Sequence, residues 1–315
     1  MQNNTEKTVV RIKIVGVGGG GTNVINRMSE QNIPLVSYIS INTDNGATHC
    51  SKAETSLQIG KRTVNGYGAG ADPEKGRLAA EENRKEIEAA LACCDMLFIT
   101  AGMGGGTGTG AAPLVAEIAR KLGILTIAVV TTPFAFEGKK RADNAQLGIA
   151  ELENHVDSII IIPNENLKKV SPTRITLQNA FAVADDVLVQ TVKNLVGVIQ
   201  NTAYINCDFA DITTTIKDSG HMYTAYGCAG GDNRAQKIIE QIEHSELLGT
   251  SVDDATNILL CVTAAKDAGL DEIDKISAAV TDRASPEARV IFGMDFDENA
   301  GDEMSAVLIA TKRAL

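Results

Sequence analysis

From Val9 to about Ile162, apolar runs and amphipathic stretches take turns along the chain. VVRIKIVGV (9–17), LVSYISINTD (35–44), DMLFITAG (95–102), ILTIAVVTTP (124–133) and SIIIIPN (158–164) are strand-like runs, the last three continuously apolar rather than alternating. Such strands are buried on both faces. Between them lie stretches of helical character: TNVINRMSEQ, a long one from Asp72 to about Ala92, APLVAEIARKLG, and one ending near Asn154. Asp72 followed by Pro73 supplies an N-cap and a proline at the first helical position. Strands alternating with helices in this way predict a parallel sheet covered on both sides.

The texture changes at about Asn179. NAFAVADDVLVQTVKNLVGVIQ (179–200) reads as one helix with Phe181, Ala184, Leu188, Val192, Leu195 and Ile199 on one face and valines crowding the others. A helix this apolar around its circumference must be covered on several sides, and we expect it to form a spine between two domains. Beyond it, a helix near 232–246, a strand at 256–265, a helix at 271–284 and the strands ARVIFGM and SAVLIAT predict a smaller α+β unit. The expected division is a parallel-sheet domain over 1–178, a central helix over 179–200 and a C-terminal domain over 201–315. The fold class is α/β, with a Rossmann-like parallel sheet followed by the long helix and the smaller α+β domain.

Composition narrows the classes. With 315 residues and 44% hydrophobic content, the chain buries a sizeable core without staples. Its six cysteines form no C-x-x-C pair and its four histidines no H-x-x-x-H spacing, so reduced thiols and no structural zinc are expected. The formal charge of −11 repels nucleic acid, and no basic patch with interleaved aromatics reverses it. The start MQNNTEKT is polar, and no run of 18 apolar residues occurs. A cytoplasmic protein without direct membrane insertion is the expectation.

Glycine loops carry the chemistry. Gly16-x-Gly18-x-x-Gly21 follows a strand and opens a helix, where backbone N–H groups and the helix dipole receive a phosphate. Alone, that pattern also fits a dinucleotide site or a tight turn. A second loop, GMGGGTGTG (102–110), again lies between strand and helix, and its chain entropy is costly unless the backbone must approach something closely. A third, GYGAGADP (66–73), also ends at a helix start. Three such loops at one sheet edge make a polyphosphate cradle. No G-x-x-x-x-G-K-[ST] sequence is present and neither main loop holds a lysine, so the phosphates must be met by backbone amides, helix N-termini and a divalent cation.

These residues resemble the tubulin/FtsZ family of GTPases. GGGTGTG (104–110) is similar to the tubulin signature loop, and AGMGGGTGTGAAP resembles the bacterial FtsZ division proteins. GVGGGGTN (16–23), NTD (42–44), GAGADP (68–73), TPFAFEGKKR (132–141), IPN (162–164), AFAVADDVL (180–188) and NCDFAD (206–211) follow in the FtsZ order, from about residue 11 to residue 311. The resemblance implies GTP and GDP as ligands, Mg2+ held mainly by the phosphates rather than by protein, and polymerisation.

By the same resemblance, Gly19, Gly20, Gly21, Thr22 and Asn23 form the first nucleotide loop. Gly105, Gly106, Thr107 and Gly108 hold the α- and β-phosphates, with Gly102 nearby. Ala69, Gly70 and Ala71 approach the γ-phosphate, with Asp44 close by. Glu137 and Arg141 match ribose-side contacts; independently, Lys139, Lys140 and Arg141 crowd a helix start where the dipole disfavours cations. Phe181 and Asp185 match the residues that stack on guanine and accept from it, with Asn164 assisting. Asp185 and Asp186 are also odd in so apolar a helix. Asp208 and Asp211, one turn apart, and Asn206 match the catalytic loop, which in this family acts on the nucleotide of the next subunit. A helix cap or a surface acid is the plainer reading of a D-x-x-D pair.

A head-to-tail contact of that kind propagates into a filament, and the resemblance implies a division ring at mid-cell in a bacterium. Adaptor proteins are expected to bind a C-terminal tail beyond Leu315 that this chain lacks. Two departures stand out. Thr202-Ala203-Tyr204-Ile205-Asn206-Cys207-Asp208 replaces the usual Pro-Gly-x-x-Asn-Val-Asp, and ITTTIKDSGHMYTAYG after Asp211 is unusually polar. Two rival readings remain: an NAD-dependent oxidoreductase built on the first glycine loop alone, and a nucleotide-binding regulator that assembles without turnover.

Overall fold

The apolar runs of the first half become six parallel strands. β1 (Ile12–Val17), β2 (Val36–Asn42), β3 (Thr55–Gln58), β4 (Met96–Gly102), β5 (Leu125–Thr132) and β6 (Ser158–Pro163) lie in the order β3-β2-β1-β4-β5-β6. Every neighbouring pair is parallel. This computed structural model describes residues 10–31, 33–170, 175–200, 209–245, 252–253, 255–265, 268–297 and 300–312.

Eight helices accompany these strands: α1 (Gly18–Glu30), α2 (Asn45–His49), α3 (Pro73–Glu82), α4 (Arg84–Leu91), α5 (Thr107–Lys121), α6 (Lys139–Glu153), α7 (Asn164–Val170) and α8 (Ala180–Gln200). Alternate strand residues feed two apolar layers. Val15, Val17, Ile39 and Ile99 pack with α3 to α6 on one face. Ile12, Ile14, Phe98 and Ile127 pack with α1 and α8 on the other. That two-sided burial is why β4, β5 and β6 read as near-continuous apolar runs.

The stretch expected as one helix from Asp72 to Ala92 is two. Asn83 breaks it, at φ −110° and ψ 25°, because its side-chain oxygen accepts the Gly60 N–H at 2.8 Å. The start is as expected: Pro73 opens α3 and the Asp72 carboxylate accepts the Glu74 N–H at 3.1 Å. We expect Asp72→Ala to lower the unfolding free energy by about 1 kcal/mol, read from the denaturation midpoint. An unchanged midpoint would leave the start of α3 to Pro73 alone. Helices α2 and α7 and the edge strand β3 were not anticipated, being short and weakly patterned.

The second half adds α9 (Phe209–Ile216), β7 (Gly220–Gly230), α10 (Arg234–Ser245), β8 (Asn257–Ala264), α11 (Leu270–Thr281), β9 (Arg289–Phe296) and β10 (Glu303–Thr311). Strand β7 was missed, since HMYTAYGCAG is rich in small and polar residues. It joins the two halves. It pairs parallel to β6 only through Ser158–Gly220 and Ile159–His221, then runs antiparallel to β10 from Met222 to Gly230. The sheet therefore continues as β6-β7-β10-β8-β9, ten strands in all.

Helix α8 is covered as its composition requires. Leu188, Val192, Leu195 and Val196 share an apolar layer with Phe98 and Ile127 of the first half and with Met222, Leu259 and Ile309 of the second. On the far side of the second half, Ile258, Leu260 and Val262 pack against Ile238 of α10 and Ile276 of α11. Cys50, Cys93, Cys94 and Cys228 are free thiols; Cys207 lies outside the described residues. Among the described residues no helix is long and apolar enough to cross a membrane.

Candidate functional site

A strand order of 3-2-1-4-5-6 reverses direction between β1 and β4, and such a reversal opens a crevice beyond the carboxyl ends of the strands. Two helices start there. Helix α1 begins directly after β1, and α5 begins inside the glycine loop after β4. Neither has a side-chain cap nor an acidic residue in its first turn. Their leading N–H groups, with the positive ends of both dipoles, are thus available to an anion in the crevice.

The glycines divide by what a side chain would meet. At Gly21 a Cβ would lie 2.6 Å from the Thr100 carbonyl oxygen and 2.7 Å from the Gly16 carbonyl carbon, so this glycine serves helix–strand packing. At Gly106 it would meet the Ala69 Cβ at 2.7 Å and the Asp72 nitrogen at 2.9 Å, which marks where the second and third loops touch. Gly19 and Gly105 differ: a Cβ at either would enter open space. No protein atom requires glycine there. The space belongs to a cleft of about 270 Å³, which Gly20, Gly102, Thr107 and Gly108 also line.

Neighbouring loops are tied to this cradle without lining the cleft. The Thr43 and Thr107 hydroxyls lie 2.6 Å apart, and the Gly104 N–H donates to the Thr109 hydroxyl at 2.7 Å. Thr22 is buried; its hydroxyl donates to the Gly18 carbonyl at 2.9 Å and accepts from the Asn42 amide at 3.2 Å. It braces the turn rather than reaching the cleft. Asp44 caps α2 by accepting the Ala47 N–H at 2.8 Å. Ala69 is buried against Gly106, while Gly70 opens to solvent and Ala71 sits at φ 59°.

The other end of the cleft is aromatic and acidic. Phe134 stacks on Phe136 at 5.2 Å, and Phe181 meets Phe134 edge-on at 5.8 Å. Phe181 is 48% exposed, leaving ring surface open for a flat ligand. Asn164, at the start of α7, is buried, and its side-chain oxygen has no hydrogen-bond partner. A buried acceptor left unmatched favours a ligand that donates. Asn23 of α1 faces the same cleft. The Glu137 carboxylate accepts the Phe134 N–H at 2.8 Å and pairs with Arg141 at 3.0 Å.

Asp185 lines the cleft with only 13% of its side chain exposed, and its carboxylate lies 4.0 Å from Arg27. Burial pushes its pKa up to about 6; Arg27 pulls it down, and Asp186 pushes it further up. Such a group is an acceptor when ionised and a donor when protonated. The sequence reading omitted Arg27, although it lies one turn beyond Asn23 on an amphipathic helix. It also omitted Phe134 and Phe136, whose motif was noted without a role for the rings.

Asp211 is not in this cleft. It sits in the first turn of α9, its carboxylate 3.5 Å from Arg289 of β9. Asn206 and Asp208 lie outside the described residues. One chain thus brings together a phosphate cradle, an aromatic wall and a carboxylate suited to a base, with the acid of α9 elsewhere.

Comparison with known proteins follows the same outline. Residues 11–172 match the Tubulin/FtsZ family GTPase domain, and residues 220–313 match the FtsZ family C-terminal domain. The empty FtsZ dimer of M. jannaschii is 40% identical, with a TM-score of 0.88 over 97% of this chain and 89% of that one. CetZ2 from Haloferax volcanii, a GTPγS-bound protofilament, is 19% identical at a TM-score of 0.80, covering 97% of this chain and 94% of its own. CetZ1 from Haloferax volcanii, a GDP-bound monomer, is 20% identical at 0.81, covering 96% of this chain and 94% of its own. The two CetZ proteins share the fold.

Proposed function

The chain belongs to the tubulin/FtsZ family of cytoskeletal GTPases, and from that premise we propose that it assembles head to tail, completes its hydrolytic site at each junction, and builds filaments that act in cell division. The observation that carries this reading is the separation of parts. The cleft offers phosphate donors and base contacts. The acids nearby are engaged: Asp44, outside the cleft, caps α2, and Glu137, at its aromatic end, pairs with Arg141. Asp211, on α9, is outside it. A neighbouring copy would bring that acid to the nucleotide.

In this reading Gly19, Gly20, Gly21, Gly105, Gly106, Thr107 and Gly108 receive the phosphates through backbone N–H groups, and Asn23, Asn164, Phe181 and Asp185 take the guanine. The orphaned Asn164 oxygen and the open space over Gly19 and Gly105 fit such a ligand. Mg2+, held by phosphate oxygens, would neutralise charge on the transferred group. Residues 1–178 would form the nucleotide domain, with 201–315 carrying the acidic loop of Asn206, Asp208 and Asp211. The similar FtsZ structure is archaeal, so the division role is proposed without the bacterial setting expected from the sequence.

Asp185 makes the base contact pH-dependent. Guanine presents two donors, N1–H and N2–H, which an ionised carboxylate accepts together. Bound guanine therefore favours the charged form, whereas burial of the side chain raises the pKa to about 6. Binding must release that proton below about pH 6. We expect GDP affinity to be flat above pH 7 and to fall up to tenfold per unit below about pH 6, by calorimetric titration. A flat profile down to pH 5 would remove Asp185 from the base.

The deciding experiment is phosphate release against protein concentration, with GTP and Mg2+, alongside light scattering. A rate per subunit that climbs above a threshold, together with scattering, is the expected result. A rate independent of concentration would place the whole site within one chain.

A further inference from the structure

Arg27 is unassigned by the reading above, yet it is the basic group that bridges α1 to the acids of α8. Its guanidinium hydrogen-bonds Asp186 through Nη1, while Nε lies 4.0 Å from the Asp185 carboxylate. Asp186 is 61% exposed and takes the close contact; Asp185 is 13% exposed, lines the cleft, and receives only the longer one. Among the described residues no hydrogen bond to the Asp185 carboxylate is made. The buried acid thus keeps its oxygens for a ligand while a cation stands one atom layer behind it.

Resting on the assignment of Asp185 to the guanine, we propose that Arg27 is a positioning residue for base selection. It holds Asp185 ionised and acceptor-only without occupying it, and Asp186 sets how strongly by competing for the same guanidinium. The argument is electrostatic. An opposite charge within about 4–6 Å lowers an acid's pKa, and a like charge raises it. Both act on Asp185 here, behind burial as the larger effect. A protonated Asp185 would turn an O–H toward the guanine donors and lose the preference over adenine.

Among the described residues, other charges stand on the elements around Arg27 and α8. Glu30, one turn further along α1, is paired with Lys52. From α7, which packs on α8, come Glu165, Lys168 and Lys169, with Glu165 paired to Lys168. Glu137 and Arg141 neutralise each other. Asn23 and Asn164 do not titrate.

The test is GDP binding to the full chain by calorimetry from pH 5 to 9, for the unaltered protein, Arg27→Gln, Arg27→Lys and Asp186→Asn, with ADP as the competitor base. We expect Arg27→Gln to move the acid limb upward by about one pH unit, giving about threefold weaker GDP binding at pH 6.5 and no difference by pH 8.5. Asp186→Asn should move the limb the other way, to about threefold tighter binding at pH 5.5. Arg27→Lys should restore most of the profile. A uniform loss at every pH for Arg27→Gln would reduce Arg27 to helix packing and overturn the proposal. So would shifts of the same sign in Arg27→Gln and Asp186→Asn. If the unaltered protein shows no acid limb and Asp185→Ala keeps the GDP over ADP preference, the base assignment itself fails instead.

Discussion

Asp211→Ala should leave GTP binding by the dilute subunit unchanged and lower phosphate release by about two to four orders of magnitude, the range for losing an acid–base group. The expectation follows from where Asp211 lies: in the first turn of α9, paired at 3.5 Å with Arg289 and outside the nucleotide cleft. Losing that exposed pair costs stability no more than about 1 kcal/mol, so the variant should fold. Mixing sharpens the result. Asp211→Ala subunits retain a nucleotide; subunits altered in the cleft retain the acid. A mixture should recover turnover at junctions where the two meet, and neither variant alone should show it. Loss of GTP binding in the isolated Asp211→Ala subunit would end the cross-subunit role.

Gly19 and its near neighbour Gly21 should fail in opposite ways. Gly21→Ala drives a methyl into backbone atoms of Thr100 and Gly16 that have no room to yield. We expect it to cost about 3 kcal/mol of stability and to lose nucleotide binding as a consequence. Gly19→Ala places its methyl in the open cleft. Stability should hold or rise by up to about 1 kcal/mol, since alanine suits a helix better than glycine, while GTP affinity falls at least about tenfold as the phosphate approach is blocked. Thermal denaturation and GTP titration on both variants check this. Equal stability of the two would remove the packing role of Gly21, and unimpaired GTP binding by Gly19→Ala would show that the cleft is not where the phosphates sit.

Much of this molecule is legible in its sequence because burial on two faces leaves a plain mark. The runs at β4, β5 and β6 are apolar but for small hydroxyl residues, and each forms a central strand. β7 left no such mark: its second half lies partly exposed and is built from Gly, Ala and Cys, so pairing with β10 rather than side-chain pattern defines it. The start of α5 was hidden for the opposite reason. Thr107-Gly108-Thr109-Gly110 are poor helix formers, yet they wind into its first turn because their N–H groups must face the crevice. Among candidate residues, motif spacing pointed to glycines and acids but not to their division of labour. That Gly21 packs while Gly19 leaves space depends on distances to Thr100 and Gly16, which no spacing encodes. Arg27 escaped because its partners are 159 residues away in the chain.

The narrow join between β6 and β7 has a mechanical meaning. Only two residue pairs carry the ladder from one half of the sheet to the other, whereas α8 meets both halves along its length through Leu188, Val192, Leu195 and Val196. Hydrogen bonds resist sliding because they are directional; apolar packing does not share that directionality. The two halves are therefore held together by a short directional ladder and a long apolar contact, and in a filament of the kind proposed any pull passed from the cleft to α9 would cross that contact.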